Sequence, residues 1–277
     1  MPYSAILNVM IKAALRAGRS LKRDLGEVEN LQVSLKGPRN FVTAADRRAE
    51  EIVREELAKA RPDYGFLGEE GGARSGADRT HRWIVDPLDG TTNFLHGIPH
   101  FAVSIALERN GAIVAALTFN PANDELFLAE RGKGAFLNDR RIRVAARQRL
   151  DEAVVACGLP HYGRGDLAVA HQEIFAAQQH FAGLRRFGAA TLDLAWVAAG
   201  RLDAYWERDL SPWDVAAGIL LVREAGGFIS DVNGGEAIMT EGNIVAGNDT
   251  MHRELLRLLK AAGKDAARDM VKPAEIS

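Results

Sequence analysis

The apolar tripeptide Trp83-Ile84-Val85 runs straight into Asp86-Pro87-Leu88-Asp89-Gly90-Thr91-Thr92-Asn93-Phe94, and no other stretch of the chain limits its fold so strongly. The tripeptide reads as a buried strand. Two carboxylates three residues apart emerge at its carboxyl end, then a glycine and two hydroxyl residues where a helix can begin. Carboxylates at a strand end suit a hard cation such as Mg²⁺, which takes oxygen ligands and keeps several waters. Backbone N–H groups of Gly90 and Thr91, at a helix start, suit a phosphate. The same residues also satisfy a plainer reading. Asp-Pro and Asp-Gly open turns, and Asp89 is a fit helix N-cap. Both readings require a strand that turns into a helix, and only the first places metal and phosphate chemistry there.

Further acids have a similar context. Tyr64-Gly65-Phe66-Leu67-Gly68-Glu69-Glu70-Gly71-Gly72 reads as a short strand ending in paired carboxylates and a glycine break. Ser211-Pro212-Trp213-Asp214 reads as a helix start, with Ser211 at the N-cap and Pro212 at the first helical position. Asp214 there is open to a purely structural role as the acid of a capping box, and Asp46 in Thr43-Ala44-Ala45-Asp46 has the same alternative.

Taken in order, these elements resemble the inositol monophosphatase family, in particular its bacterial extragenic-suppressor (SuhB-type) branch. Asp86 to Phe94 is similar to the family's D-P-[LI]-D-G-T-x-N-F signature. Trp213 to Gly218, with Glu224 to Gly227, is similar to its W-D-x-A-A-G…E-A-G-G element. Gly68-Glu69-Glu70 matches its G-E-E element and Gly242 to Asn248 its closing G-N-x-x-[AV]-[GA]-N, so the likeness runs from the first helix to about residue 260. It implies an α/β (α+β) fold, a layered αβαβα sandwich, and a Mg²⁺-dependent phosphatase for inositol 1-phosphate or a similar small polyol phosphate. Relatives that use fructose 1,6-bisphosphate or nucleotide phosphates keep those substrates open, as does a regulatory role with the transcription machinery.

The resemblance also implies roles for single residues. Glu69, Asp86 and the Leu88 carbonyl would hold one Mg²⁺, and Asp86, Asp89 and Asp214 a second, in a site of two or three ions. Glu69 and Thr91 would orient or deprotonate the attacking water, with Asp46 hydrogen-bonded to Thr91. Gly90 and Thr91 amides would bind phosphate. Lys36 would approach from a loop marked by Gly37 and Pro38. Glu207, seven residues before Asp214, would accept a hydrogen bond from a sugar hydroxyl. Ala189 and Ala190 fall on the family's G-[ST]-A-A segment, where Ala189 lacks the usual hydroxyl. Thr191 is then expected to compensate, or backbone amides to serve alone. Li⁺ sensitivity and a homodimer are implied in the same way.

Composition narrows the classes. Lys plus Arg number 35 against 37 Asp plus Glu, so nothing marks a polyanion-binding protein and direct nucleic-acid binding is not expected. The single cysteine, Cys157, excludes an internal disulfide and suits a reducing cytoplasm. No signal pattern or long apolar run points to a membrane. His96 and His100 have a zinc-like spacing, but Pro99 between them would break the helix that spacing needs. No G-x-S-x-G elbow supports a serine hydrolase.

Periodicity predicts helices at 4–24 and 44–60, strands at 101–109, 113–119 and 125–130, and a hairpin at Asn110-Gly111. An amino-terminal lobe, 1–149, would carry the metal and phosphate motifs. A second lobe, 150–277, would add the substrate residues and Asp214, with strand Ala153–Cys157, helices at 166–182, 191–199 and 212–225, and strands at Leu202–Trp206 and from Gly227. Its final helix is expected at 250–262, with a fraying tail from Gly263.

Overall fold

The computed structural model describes residues 3–25, 33–37, 40–160 and 165–271, with backbone alone at 33–37, 40–43 and 264–271. Helix α1 (Ala5–Leu25) is followed by the hairpin β1 (Val33–Gly37) and β2 (Asn40–Thr43), then helix α2 (Ala44–Ala60). Strands β3 (Gly65–Gly68), β4 (Gly72–Arg74) and β5 (His81–Asp89) lead into the short helix α3 (Thr91–Leu95). A meander follows: β6 (Ala102–Arg109), β7 (Ala112–Asn120), β8 (Glu125–Glu130), β9 (Gly134–Leu137) and β10 (Arg140–Ile142). The second half runs β11 (Val154–Cys157), α4 (Leu167–His180), β12 (Gly183–Arg185), α5 (Ala190–Ala198), β13 (Ala204–Glu207) and α6 (Pro212–Glu224). It closes with β14 (Phe228–Ser230), α7 (Ile238–Glu241), β15 (Ile244–Gly247) and α8 (Asp249–Val271).

Among the described residues, one eight-stranded sheet has the order β10-β9-β8-β7-β6-β5-β3-β4 and a five-stranded sheet the order β12-β11-β13-β15-β14. Helices α1 and α2 cover the outer face of the large sheet, α5 and α6 lie between the sheets, and α4 and α8 cover the small one. This is the five-layered αβαβα sandwich.

Each layer follows from apolar spacing. In α1, Leu7, Met10, Ala14, Ala17 and Leu21 are buried, and in α2 Ala45, Ala49, Val53 and Leu57, four apart, form one stripe. These stripes pack on Trp83, Val85, Ile105 and Leu117. The alternate residues of the same strands, Ile84, Ala106 and Ala116, turn to the other face and meet Leu192, Val197, Val215 and Ile219. That inner core also takes Tyr205 and Ile244 from the small sheet, so both halves of the chain share it. Burying each large side chain is worth about 1.5–3 kcal/mol. Glu224, in the last turn of α6, ties the layers together by accepting the Gly132 and Gly134 N–H groups at 2.7 Å each.

Two expectations need correction. Lys36 and Gly37 belong to β1, which pairs antiparallel with β2, and not to a loop. Gly37 ends β1 opposite Asn40 of β2, and Pro38 lies outside the described residues. The Lys36 side chain lies outside the described residues. Helix α8 continues past Gly263 to Val271, because Lys264, Ala266, Ala267 and Arg268 favour helix after the apolar period has ended.

Candidate active site

Strand residues three apart ordinarily point to opposite faces of a sheet. Asp86 and Asp89 escape this rule through a bulge. Asp86 pairs with Ser104 of β6 but Asp89 pairs with Ala102, so three steps on β5 match two on β6. Both acids therefore face the inner core, towards α5 and α6. Pro87, with no N–H to lose, sits in the bulge. The Leu88 N–H, released from the ladder, donates to Asp86 Oδ1 at 2.9 Å.

Gly90 ends this segment with φ +86°, a left-handed conformation that glycine adopts without strain. A Cβ there would come within 2.9 Å of the His100 carbonyl and 3.2 Å of Ala189 Cβ. Helix α3 then starts at Thr91, whose hydroxyl lies 2.9 Å from Asp46 Oδ1 and 3.1 Å from the Leu88 carbonyl. Asp46 is buried in the first turn of α2, so its expected partnership with Thr91 is present.

Glu69 follows β3, which runs parallel to β5 and brings Gly68 level with Val85. Its N–H donates to the Val85 carbonyl at 3.2 Å. The turn after it is held by Glu50, which accepts the Glu70 and Gly71 N–H groups at 2.8 and 2.7 Å. Nothing in the sequence marked Glu50, a buried acid within a run of charges on α2.

Asp214 enters from α6, where its carboxylate accepts the Ser211 N–H at 2.7 Å as a helix-capping acid does. Its structural and functional readings are thus compatible. Asp89 is gripped from α5: the Thr191 N–H and hydroxyl both donate to Asp89 Oδ2, at 2.7 and 2.6 Å. Thr191 is fully buried and spent on Asp89, so it does not replace a substrate-facing hydroxyl at Ala189. Ala189, the N-cap of α5, and Ala190 are both buried at the start of that helix. Behind them the buried His100 and Asp193 lie 3.4 Å apart, Nε2 to Oδ1.

The electrostatics are one-sided. Burial, then the negative charges of Glu69, Asp89 and Asp214, push Asp86 well above the usual carboxylate range. Burial and then Asp89 do the same to Asp214. Burial lifts Asp89 to about 6 despite its two bonds from Thr191. The neighbouring charges that act on Asp86 are all anionic. Such a group is stabilised by a cation, and an all-oxygen donor set suits Mg²⁺ and not a soft metal. Among the described residues, no three His, Cys, Asp or Glu side chains are placed to enclose a metal unaided. Mg²⁺ sites commonly use one or two carboxylates, with waters and substrate phosphate supplying the rest.

Glu207 stands at the end of β13, half-buried, with its carboxylate accepting the Tyr205 hydroxyl. Burial is the largest influence on it and raises it to about 8, with Asp193 and Asp89 adding to the effect. The structure thus brings Glu69, Asp86, Asp89, Asp214, Thr91, Asp46 and Glu207 into one neighbourhood at the junction of the two sheets.

A layered sandwich with carboxylates at a strand bulge and at a helix start defines a class of phosphate-ester hydrolases. The chain belongs to the inositol monophosphatase family, whose model matches residues 3–264. It is similar to the inositol-1-monophosphatase of Mesorhizobium japonicum, with 61% identity over 260 residues that cover 94% of this chain and 98% of that one. It is 44% identical to the Nus factor SuhB of Pseudomonas aeruginosa over 259 residues, 92% and 96% of the two chains. The crystal structure of extragenic suppressor protein SuhB from Bartonella henselae superposes with a TM-score of 0.90 at 60% identity, covering 93% and 99%.

Proposed function

We propose that the protein is a Mg²⁺-dependent phosphatase that hydrolyses inositol 1-phosphate or a similar small polyol monophosphate. The observation that carries this is the burial of Asp86 among Glu69, Asp89 and Asp214 with only anionic charges acting on it, in a chain 61% identical to an inositol-1-monophosphatase. Glu69, Asp86 and the Leu88 carbonyl would hold one ion, and Asp86, Asp89 and Asp214, which do not enclose a metal unaided, would close around another. Bound there, the ions would lower the pKa of the attacking water and stabilise the leaving oxygen.

The chain's own groups do the rest. Gly90 and Thr91 amides, at the start of α3, orient the phosphate. The Thr91 hydroxyl, donating to Asp46, turns its lone pairs towards the attacking water, and Glu69 takes the proton that water loses. The new P–O bond forms as the ester P–O bond breaks; the departing polyol oxygen takes a proton from solvent water, and Glu69 returns its proton to solvent. Glu207, Ala189 and Ala190 would meet the polyol, with Glu207 accepting from one of its hydroxyls, and the resemblance adds Lys36 to that set. A cytoplasmic homodimer and sensitivity to Li⁺ belong to the same reading.

The experiment is phosphate release from inositol 1-phosphate, glycerol 2-phosphate, fructose 1,6-bisphosphate and NADP at saturating Mg²⁺. Inositol 1-phosphate is expected to lead, and Asp89→Asn to lower turnover by several orders of magnitude while the fold survives. Near-normal turnover by Asp89→Asn removes the metal assignment, and preference for another ester removes the substrate. A second reading draws on the relatives named as Nus factors, at 40–44% identity: a role with the transcription machinery that persists in Asp89→Asn.

A further inference from the structure

Tyr205 and Glu207 are two residues apart on β13 and so share a face. That face looks into the inner core, while Trp206 between them turns to the opposite side with Cys157 and Val245. Tyr205 has no exposed surface. A buried phenol needs a partner for its hydroxyl, and the one it has is Glu207 Oε2. Among the described residues, no other hydrogen bond reaches the Glu207 carboxylate.

The opposite wall is equally specific. Strands β11 and β13 run parallel with Cys157 beside Trp206. The next residue of β11's chain, Gly158, donates its N–H to the Trp206 carbonyl at 3.0 Å. A Cβ at Gly158 would overlap the Glu207 carboxylate. The carboxylate is thus pressed against bare backbone on one side and tethered by a phenol on the other.

We infer that Tyr205 is a positioning residue for substrate choice: it commits Glu207 Oε2 and leaves Oε1 as the single acceptor for a polyol hydroxyl. This rests on the proposed reading of the site and deepens it. A carboxylate free to rotate accepts hydroxyls from many directions and discriminates little. One that has a single free oxygen, fixed in place, favours an ester whose hydroxyl arrives there and leaves other esters without a gain.

The test compares wild type, Tyr205→Phe, Glu207→Ala and the double variant on inositol 1-phosphate and glycerol 2-phosphate. Tyr205→Phe keeps the ring and removes only the tether. It is expected to raise KM for inositol 1-phosphate about 5–10-fold, the loss of one hydrogen bond's worth of placement, with kcat within about twofold. Glycerol 2-phosphate kinetics stay at wild-type values, and in the Glu207→Ala background the substitution adds nothing. An equal effect on both esters, or a full effect without Glu207, shows that Tyr205 only supports the fold and overturns the inference.

A separate arm follows the Glu207 carboxyl by ¹³C NMR titration in wild type and Tyr205→Phe. The hydroxyl bond favours the ionised form, so its removal is expected to move the titration upward, and an unmoved titration overturns the tether. Wild-type indifference between the two esters, with a moved titration, removes the substrate reading and leaves the tether standing.

Discussion

Thr191 holds Asp89 through two donors on one oxygen, its N–H at 2.7 Å and its hydroxyl at 2.6 Å from Oδ2. One oxygen of the carboxylate is thereby committed to α5, and both donors leave the other alone. The arrangement joins the large sheet to the helix layer between the sheets at the point where the acids gather. The segment with alanine at 189 thus keeps a hydroxyl two residues on, and that hydroxyl orients an acid.

Thr191→Val should therefore loosen Asp89 without removing it. The Mg²⁺ concentration for half-maximal activity is expected to rise about tenfold, as for other losses of a partner behind a metal ligand, with turnover largely recovered at high Mg²⁺. The Mg²⁺-dependent rise in Tm should shift to higher concentration in parallel. Thr191→Ser keeps the hydroxyl and should stay near wild type. Identical Mg²⁺ curves for all three proteins would contradict this role.

Glu50 offers a case where stability and activity fall together. Glu50→Ala leaves the Glu70 and Gly71 N–H groups without their acceptor, at a cost of about 1–3 kcal/mol. Because those amides follow Glu69 directly, turnover should drop as well. Thermal unfolding and steady-state kinetics on one preparation test this, and a destabilised protein with full turnover would separate Glu50 from the site.

Without metal, Glu207 gives a pH dependence of definite sign. Its carboxyl titrates at about 8 in the folded chain against 4.5 ordinarily. The neutral form is therefore the one the fold favours. Its contribution to stability is complete below about pH 4.5 and disappears as pH rises towards 8. In EDTA, Glu207→Gln should match wild type near pH 4.5 and unfold at a higher temperature near pH 9. Parallel Tm curves across that range would show that Glu207 is not held in this way.

Lithium tests the cation site proposed at Asp89 and Asp214. Titrating LiCl against KCl at matched ionic strength separates competition at a cation site from general screening. Inhibition by LiCl alone is expected, relieved in part by raising Mg²⁺. Equal responses to the two salts would count against a Li⁺-sensitive site.

Much of this was legible because the signals are local. Ser211-Pro212 at the start of α6 and Gly90 before α3 obey capping and turn rules that act over four residues. Thr91 and Asp46 meet as the motif resemblance implied. Glu50 was not legible: it sits between Ala49 and Glu51 in a charged stretch that reads as a solvated face, and only the packing of α2 against the turn after β3 buries it. Thr191 was singled out for a different role and Tyr205 was not marked, for a related reason. Their hydroxyls are committed to Asp89 and Glu207 by helix and strand placement, which no spacing rule encodes. Lys36 misled in the other direction, since a glycine that reads as the start of a loop, Gly37, is here the last residue of a paired strand.

The bulge in β5 carries a further consequence. It turns the Leu88 side chain into the outer core while its peptide carbonyl, 3.1 Å from the Thr91 hydroxyl, stays on the side of the acids. A main-chain oxygen is the same whichever amino acid occupies the position. Exchanging Leu88 for another residue therefore reports on packing alone. Only a change in chain length between Asp86 and Asp89, or an atom-level edit of the peptide bond itself, interrogates that oxygen. A mutational scan that swaps side chains one by one would pass over this oxygen without registering it.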